Sequence, residues 1–217
     1  MKKEILSTVM LYVGVLLLSL CVLTGFSNRK TDLYENMVNA SVLVYDETSG
    51  GSGVFIHDNV VLTAAHVLKD IDICSIELND GTVLKSSDFY IDAKEDVGFV
   101  FVDADELHIA EVSSVVRNIG DTVFLVGAPH NRTLKFTLTK GILSYLGRDI
   151  PEMGWKDLLQ TDAEGGYGSS GGPLYDFNGK VIGIYVGHVY SGGVGVSLCE
   201  DVKSILEAYE RCMDARR

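Results

Sequence analysis

Ser170 lies in the run Gly168-Ser169-Ser170-Gly171-Gly172-Pro173, a serine in a tight, glycine-flanked turn followed at once by an apolar strand. Such a turn presents a hydroxyl to an incoming carbonyl group with backbone N–H groups beside it. A serine hydroxyl is a weak nucleophile at neutral pH and needs a neighbouring base to take its proton. That base needs a third group to fix its tautomer and stabilise its charged form. The chain offers one residue in a sensible context for each role. His66 ends Thr63-Ala64-Ala65-His66, where small side chains let an imidazole sit close to a packed wall. Asp96 opens Asp96-Val97-Gly98-Phe99-Val100-Phe101-Val102, a carboxylate at the mouth of a buried strand. With Ser170 as nucleophile, His66 as general base and then acid, and Asp96 as orienting carboxylate, the expected chemistry is acyl transfer. The backbone N–H groups of Gly168 and Ser170 would hold the oxyanion of the tetrahedral intermediate. This chemistry calls for no metal and no organic cofactor. His57, His108, His130 and His188 lack the context of His66, and Asp88, Asp92 and Asp103 lack that of Asp96.

These residues must be positioned by short strands. Ser41–Tyr45, Ser52–Ile56, Val60–Thr63, Cys74–Leu78, Thr82–Lys85 and Val97–Val102 read as strands, with polar turns at His57-Asp58-Asn59 and Asn79-Asp80-Gly81. Thr122–Val126, Leu134–Thr139, Gly141–Tyr145, Leu174–Phe177, Val181–Val186 and Val194–Ser197 follow. Strands this short, joined by glycine-rich turns, predict an all-β sandwich or barrel. Val202, Ile205, Leu206 and Tyr209 recur at i, i+3, i+4 and i+7, which predicts a C-terminal helix packed on it. Ser197 and Glu200 have the spacing of a capping box at its start. No repeat or second soluble domain is visible, and no room is expected after Arg217 for a peptide-binding module.

The 217 residues favour one globular domain plus a small addition, with 47% hydrophobic residues sufficient for a core. A formal net charge of −12 without a basic stripe argues against nucleic acid as a partner. Residues 5–26 carry no charged side chain, and about 20 apolar residues span a bilayer. With no good small-residue cleavage site after them, they read as an uncleaved signal-anchor helix rather than a cleaved signal peptide. The expected organisation is therefore a flank at 1–4, a single transmembrane helix at 5–26, a linker with a helical turn at 27–40, and the catalytic domain at 41–212. Lys2 and Lys3 before the span and Arg29 and Lys30 after it leave the charge count nearly balanced. A large folded domain after one N-terminal span is expected outside the cytoplasm. Cys74, Cys199 and Cys212 allow one internal disulfide with a thiol left over, or three ordinary thiols.

The pattern resembles the trypsin-like, chymotrypsin-fold serine proteases, most closely the high-temperature-requirement (Deg-type) branch without its peptide-binding (PDZ) domain. The resemblance runs from about Gly51 to about Val202. It rests on Gly51-Ser52-Gly53-Val54, Thr63-Ala64-Ala65-His66-Val67, Asp96-Val97-Gly98 and Val126-Gly127-Ala128-Pro129. It continues through Thr139–Ser144, Gln160-Thr161-Asp162-Ala163, Gly168–Leu174 and Val181-Ile182-Gly183-Ile184. It implies two six-stranded antiparallel β-barrels with the triad His66, Asp96 and Ser170 at their junction, and a serine endopeptidase acting on protein or peptide substrates. Ser169 stands where classical trypsins carry an aspartate that pairs with a new N-terminus, so no such zymogen switch is expected. Glu164 stands where trypsin-like enzymes place a pocket-floor residue. It would select Lys or Arg if it faced the pocket, and select nothing if the loop left it in solvent. Tyr185 and His188 follow the cleft strand and would wall the pocket. An inactive peptide-binding module on the same scaffold, and an esterase using the same triad, are the alternatives.

Overall fold

The computed structural model describes residues 32–113, 115, 117–130, 132–191 and 194–217. The expected transmembrane helix at 5–26 and its flank at 1–4 lie outside them. Among the described residues no helix is long and apolar enough to cross a membrane.

The described chain begins helical at 32–40 (α1), more than the single turn expected there. Met37 and Ala40 are buried, and the Met37 carbonyl accepts hydrogen bonds from Ser41 Oγ at 2.7 Å and from the Tyr175 hydroxyl at 3.0 Å. Two sheets follow. The first is built from β1 (Ser41–Tyr45), β2 (Gly50–His57), β3 (Val60–Thr63), β4 (Cys74–Glu77), β5 (Val83–Ser86), β6 (Phe89–Ile91) and β7 (Gly98–Phe101). Their order is β5-β4-β1-β2-β3-β7-β6, all antiparallel. The second contains β8 (Thr122–Gly127), β9 (Thr137–Ile150), β10 (Trp155–Thr161), β11 (Pro173–Asp176), β12 (Val181–Ser191) and β13 (Val194–Asp201). It closes into a barrel in the order β10-β13-β12-β11-β8-β9.

The expectation of two six-stranded barrels is therefore met once. The first sheet has seven strands and stays open. Its edge strands β5 and β6 follow one another in the chain, yet no ladder joins them. Ser86 Oγ of β5 donates instead to the carbonyl of Phe101 on β7, at 2.5 Å. With three residues, β6 is too short to offer a full ladder. The centre of this sheet is nevertheless dry. Every residue of β3 is buried, and Val44, Val54, Phe55, Leu62, Ile76, Phe99 and Val100 have almost no exposed surface. In the barrel, Val123, Leu125, Leu143, Leu159, Leu174, Ile182, Tyr185 and Cys199 point inward to form one cluster.

The segments expected as two strands at Leu134–Thr139 and Gly141–Tyr145 form one long strand, β9, while Leu134, Lys135 and Phe136 lie before it. A four-residue helix, α2 (Ala65–Leu68), follows β3 directly. The predicted C-terminal helix is α3 (Val202–Ala215), with Val202, Ile205, Ala208 and Cys212 buried. Its cap differs from the expected one. Asp201 accepts from the Lys203 N–H at 2.8 Å, whereas Ser197 and Glu200 still belong to β13. Cys74, Cys199 and Cys212 are free and buried, so none is paired.

Two ion pairs tie α3 to the first sheet. Arg211 Nε and Nη2 meet Asp92 at 2.8 and 3.0 Å, and Arg216 meets Asp88 at 2.6 and 2.8 Å. The ring of Tyr209 packs edge-on against Phe99 of β7 with centroids 5.3 Å apart. A helix that starts at the end of the barrel thus straps down the strand that follows Asp96.

Candidate active site

His66 is the second residue of α2, carried there by the buried strand β3 and the buried pair Ala64 and Ala65. Small side chains at 64 and 65 are what let the helix start against the sheet. Asp96 lies in the turn between β6 and β7. That turn is tightened by Asp92, whose Oδ1 accepts the N–H groups of Lys94 and Glu95, both at 2.9 Å. Asp96 then holds His66 twice. Its Oδ1 accepts the His66 backbone N–H at 2.9 Å, and its Oδ2 meets His66 Nδ1 at 2.6 Å. A carboxylate only accepts, so the Nδ1 proton sits between them and Nε2 is left free to take a proton.

The Ser170 turn is fixed from the other sheet. Ser52 of β2 donates its N–H to the Ser170 carbonyl at 2.7 Å and its hydroxyl to the Gly168 carbonyl at 2.8 Å. Gly171 donates to the Tyr185 carbonyl at 2.7 Å, and Gly172 to the Ser169 carbonyl at 2.8 Å. Two glycines are required here. Gly168 has φ +98° and Gly171 φ +82°, where side chains are strained, and a Cβ on Gly171 would collide with Thr63 Oγ1 and the Ser52 carbonyl. Among the described residues no backbone carbonyl takes the N–H of Gly168 or of Ser170. Those two donors are therefore available to an incoming oxygen. Ser169 is buried, its side chain against Gly127.

His66, Gly168 and Ser170 line one cleft of about 550 Å³. Tyr185 and His188, expected as pocket walls, line it too. They are joined by a hydrogen bond of 2.9 Å between the Tyr185 hydroxyl and His188 Nδ1. Burial pushes the Tyr185 phenol well above its ordinary pKa, so it stays protonated. Glu164 is placed otherwise. Its side chain is exposed and does not line the cleft, and its carbonyl accepts from Thr139 Oγ1 at 2.9 Å. The chain turns Ala163 inward and Glu164 outward at this point, which is the solvent-facing course of the loop.

Trp155, Met153 and Tyr167 line the cleft as well, and the first two were not singled out in the sequence. Tyr167 packs edge-on to His188 with centroids 5.9 Å apart, and the Trp155 ring lies against Gly187. Trp155 is the single tryptophan of the chain, the one signal that could have flagged it. Among the described residues, none that lines the cleft carries a carboxylate, an ammonium or a guanidinium group.

A closed barrel beside an open antiparallel sheet, with this cleft, is the trypsin-like architecture. The chain belongs to the trypsin-like peptidase domain family, whose model matches residues 51–184. It is 37% identical over 141 residues to a probable periplasmic serine endoprotease DegP-like of Halomonas elongata, covering 64% of this chain and 29% of the relative. It is 38% identical over 144 residues to the putative serine protease HhoB of Synechocystis, covering 64% and 34%. Among solved structures it resembles the HtrA-type protease AlgW with tripeptide, at 27% identity and a TM-score of 0.75 over 85% of this chain and 64% of that one. The serine endoprotease from Yersinia pestis matches at 27% identity and a TM-score of 0.73, over 85% and 68%. The chain spans about a third of the length of the curated relatives it matches.

Proposed function

We propose that this protein is a DegP/HtrA-type serine endopeptidase whose triad is Ser170, His66 and Asp96. The observation that carries the reading is the 2.6 Å contact of Asp96 with His66 Nδ1, on an imidazole that opens into the same cleft as Ser170. Ser170 Oγ attacks the scissile carbonyl carbon while His66 Nε2 takes its proton. The carbonyl oxygen becomes an oxyanion received by the N–H groups of Gly168 and Ser170. Collapse breaks the C–N bond, and the leaving amine takes the proton from His66. Water, deprotonated by His66, then hydrolyses the acyl-enzyme and restores Ser170.

An uncharged, partly aromatic cleft favours substrate side chains that carry no charge, because a desolvated ion would find no partner there. That argues against the Lys or Arg selection that a pocket-floor Glu164 would have imposed. The names of the relatives place such enzymes in the periplasm, and residues 5–26 would tether this one to the membrane with its catalytic unit outside the cytoplasm. No observation favours the inactive peptide-binding module.

The test is active-site labelling with a fluorophosphonate, alongside digestion of a peptide library. Wild type should label and cleave, and Ser170→Ala should do neither, with turnover lowered about 10⁶-fold. Equal labelling of wild type and variant would refute the assignment of Ser170. Labelling with every peptide left intact would point to an esterase.

A further inference from the structure

Glu200 is the next-to-last residue of β13, one residue before the cap of α3, and it is a buried carboxylate that the reaction above does not use. Only 5% of the residue is exposed, and its Oε2 is buried with no hydrogen-bond partner. It lines, together with Asp96, a second cavity of about 450 Å³. We propose that Glu200 is a positioning residue for the His66–Asp96 pair: it holds the Asp96 backbone N–H and, when ionised, supplies a second negative charge that favours the imidazolium formed during acyl transfer. The inference rests on the triad reading above.

The charged surroundings are mixed. Lys94 and Glu95 flank Asp96 on its turn, Lys156 and Asp157 approach from β10, and Lys203 and Glu207 from α3. Cys199, the preceding residue, is kept protonated by burial. Burial pushes the Glu200 carboxyl up to about 7, the nearby charges of Glu95 and Asp96 push the same way, and hydrogen bonding from the Asp96 N–H and from Ser204 opposes them. Glu200 therefore changes charge near neutral pH, where His66 must cycle between its two forms. A carboxyl whose folded-state pKa is raised contributes its full stability only below the unfolded value, and loses it as pH rises toward the folded one. Ionised Glu200 thus costs stability while aiding the transition state, a trade expected at a working site.

Glu200→Gln keeps the acceptor for the Asp96 N–H and removes the charge. At pH 8 the variant should melt at a higher temperature than wild type, yet show kcat/KM lowered several-fold. The gap in melting temperature should close toward pH 4, where both side chains are neutral. The gap in kcat/KM should narrow below about pH 6, with the ionisation near 7 missing from the variant's profile. A merely structural glutamate would instead leave Glu200→Gln less stable at every pH and its profile unmoved, which would overturn the proposal. A second measurement does not depend on turnover. The Glu200 carboxyl resonance of isotope-labelled Ser170→Ala protein should titrate near 7, and the added change Asp96→Asn should lower that value by about half a pH unit or more. An unmoved value would refute the coupling. A lowered value, found together with a wild-type protein that cleaves no peptide, would uphold the coupling and refute the proposed function instead.

Discussion

Arg211→Met tests the strap that α3 places over the Asp96 turn. Asp92 has a side chain with no exposed surface, and Arg211 reaches it with two bonds of 2.8 and 3.0 Å. Burial alone would raise the Asp92 carboxyl; hydrogen bonds from Arg211, Glu95 and Lys94 outweigh it and hold the group below the ordinary carboxylate value. Removing one partner of a buried ion pair costs about 3–5 kcal/mol, because the other charge is stranded. Two backbone donors remain on Asp92, and the Arg211 side chain is 27% exposed, so the low end, about 3 kcal/mol, is expected. For a unit of this size that lowers Tm by roughly 6–12 °C. A depressed carboxylate contributes stability that is present above its unfolded pKa and lost as pH falls through its folded one. The gap between wild type and variant should therefore narrow below about pH 4. Urea melts at neutral pH, in a double-mutant cycle with Asp92→Asn, measure the coupling directly. Arg216→Met is the control. Arg216 and Asp88 are 36% and 56% exposed, so even with Arg216 stacked over Phe101 the cost should be about 1 kcal/mol or less. A coupling energy under about 0.5 kcal/mol for Arg211 and Asp92 would refute the reasoning, as would an Arg216 variant that costs as much.

Gly171→Ala should destabilise by roughly 2 kcal/mol or more, since it combines a strained φ with a collision against backbone and a buried threonine. Urea melting measures it, and a loss within error of zero would mean the Ser170 turn can shift freely. Cys74, whose thiol burial pushes up to about 11, and Cys199, raised further by the same cause, should resist a thiol reagent at pH 8 in the native protein and react once it is unfolded. Native-state labelling of either, read by mass spectrometry, would contradict their burial.

The residues that were legible in the sequence are those whose roles show in their immediate neighbours. Glycines at 168 and 171 announce a backbone that side chains cannot follow, and Ala64 and Ala65 announce a histidine set close to a wall. Most strands were legible for the same reason: alternation or unbroken apolar runs such as Phe99 to Val102 are local signals. β10 was missed because its pattern is not regular. Asp157 has φ +54°, and the pairing of β10 with β9 shifts register at three places, so the apolar positions lose their period of two. With β10 went Trp155 and its place in the cleft. Closure of a barrel is likewise not local. β6 was missed as well; whether β5 pairs with β6 depends on how far β6 extends, and it stops after three residues. Glu200 shows the limit most clearly. Three residues after Ser197 it reads as a helix cap, a role that asks only for spacing. Its burial beside Asp96 needs β13 to finish against the turn before β7, and those segments lie in different sheets. A second carboxylate beside Asp96 is invisible to any reading of neighbours along the chain. On the proposed triad it is nevertheless the group that would most directly couple the pH of the surroundings to the proton His66 carries.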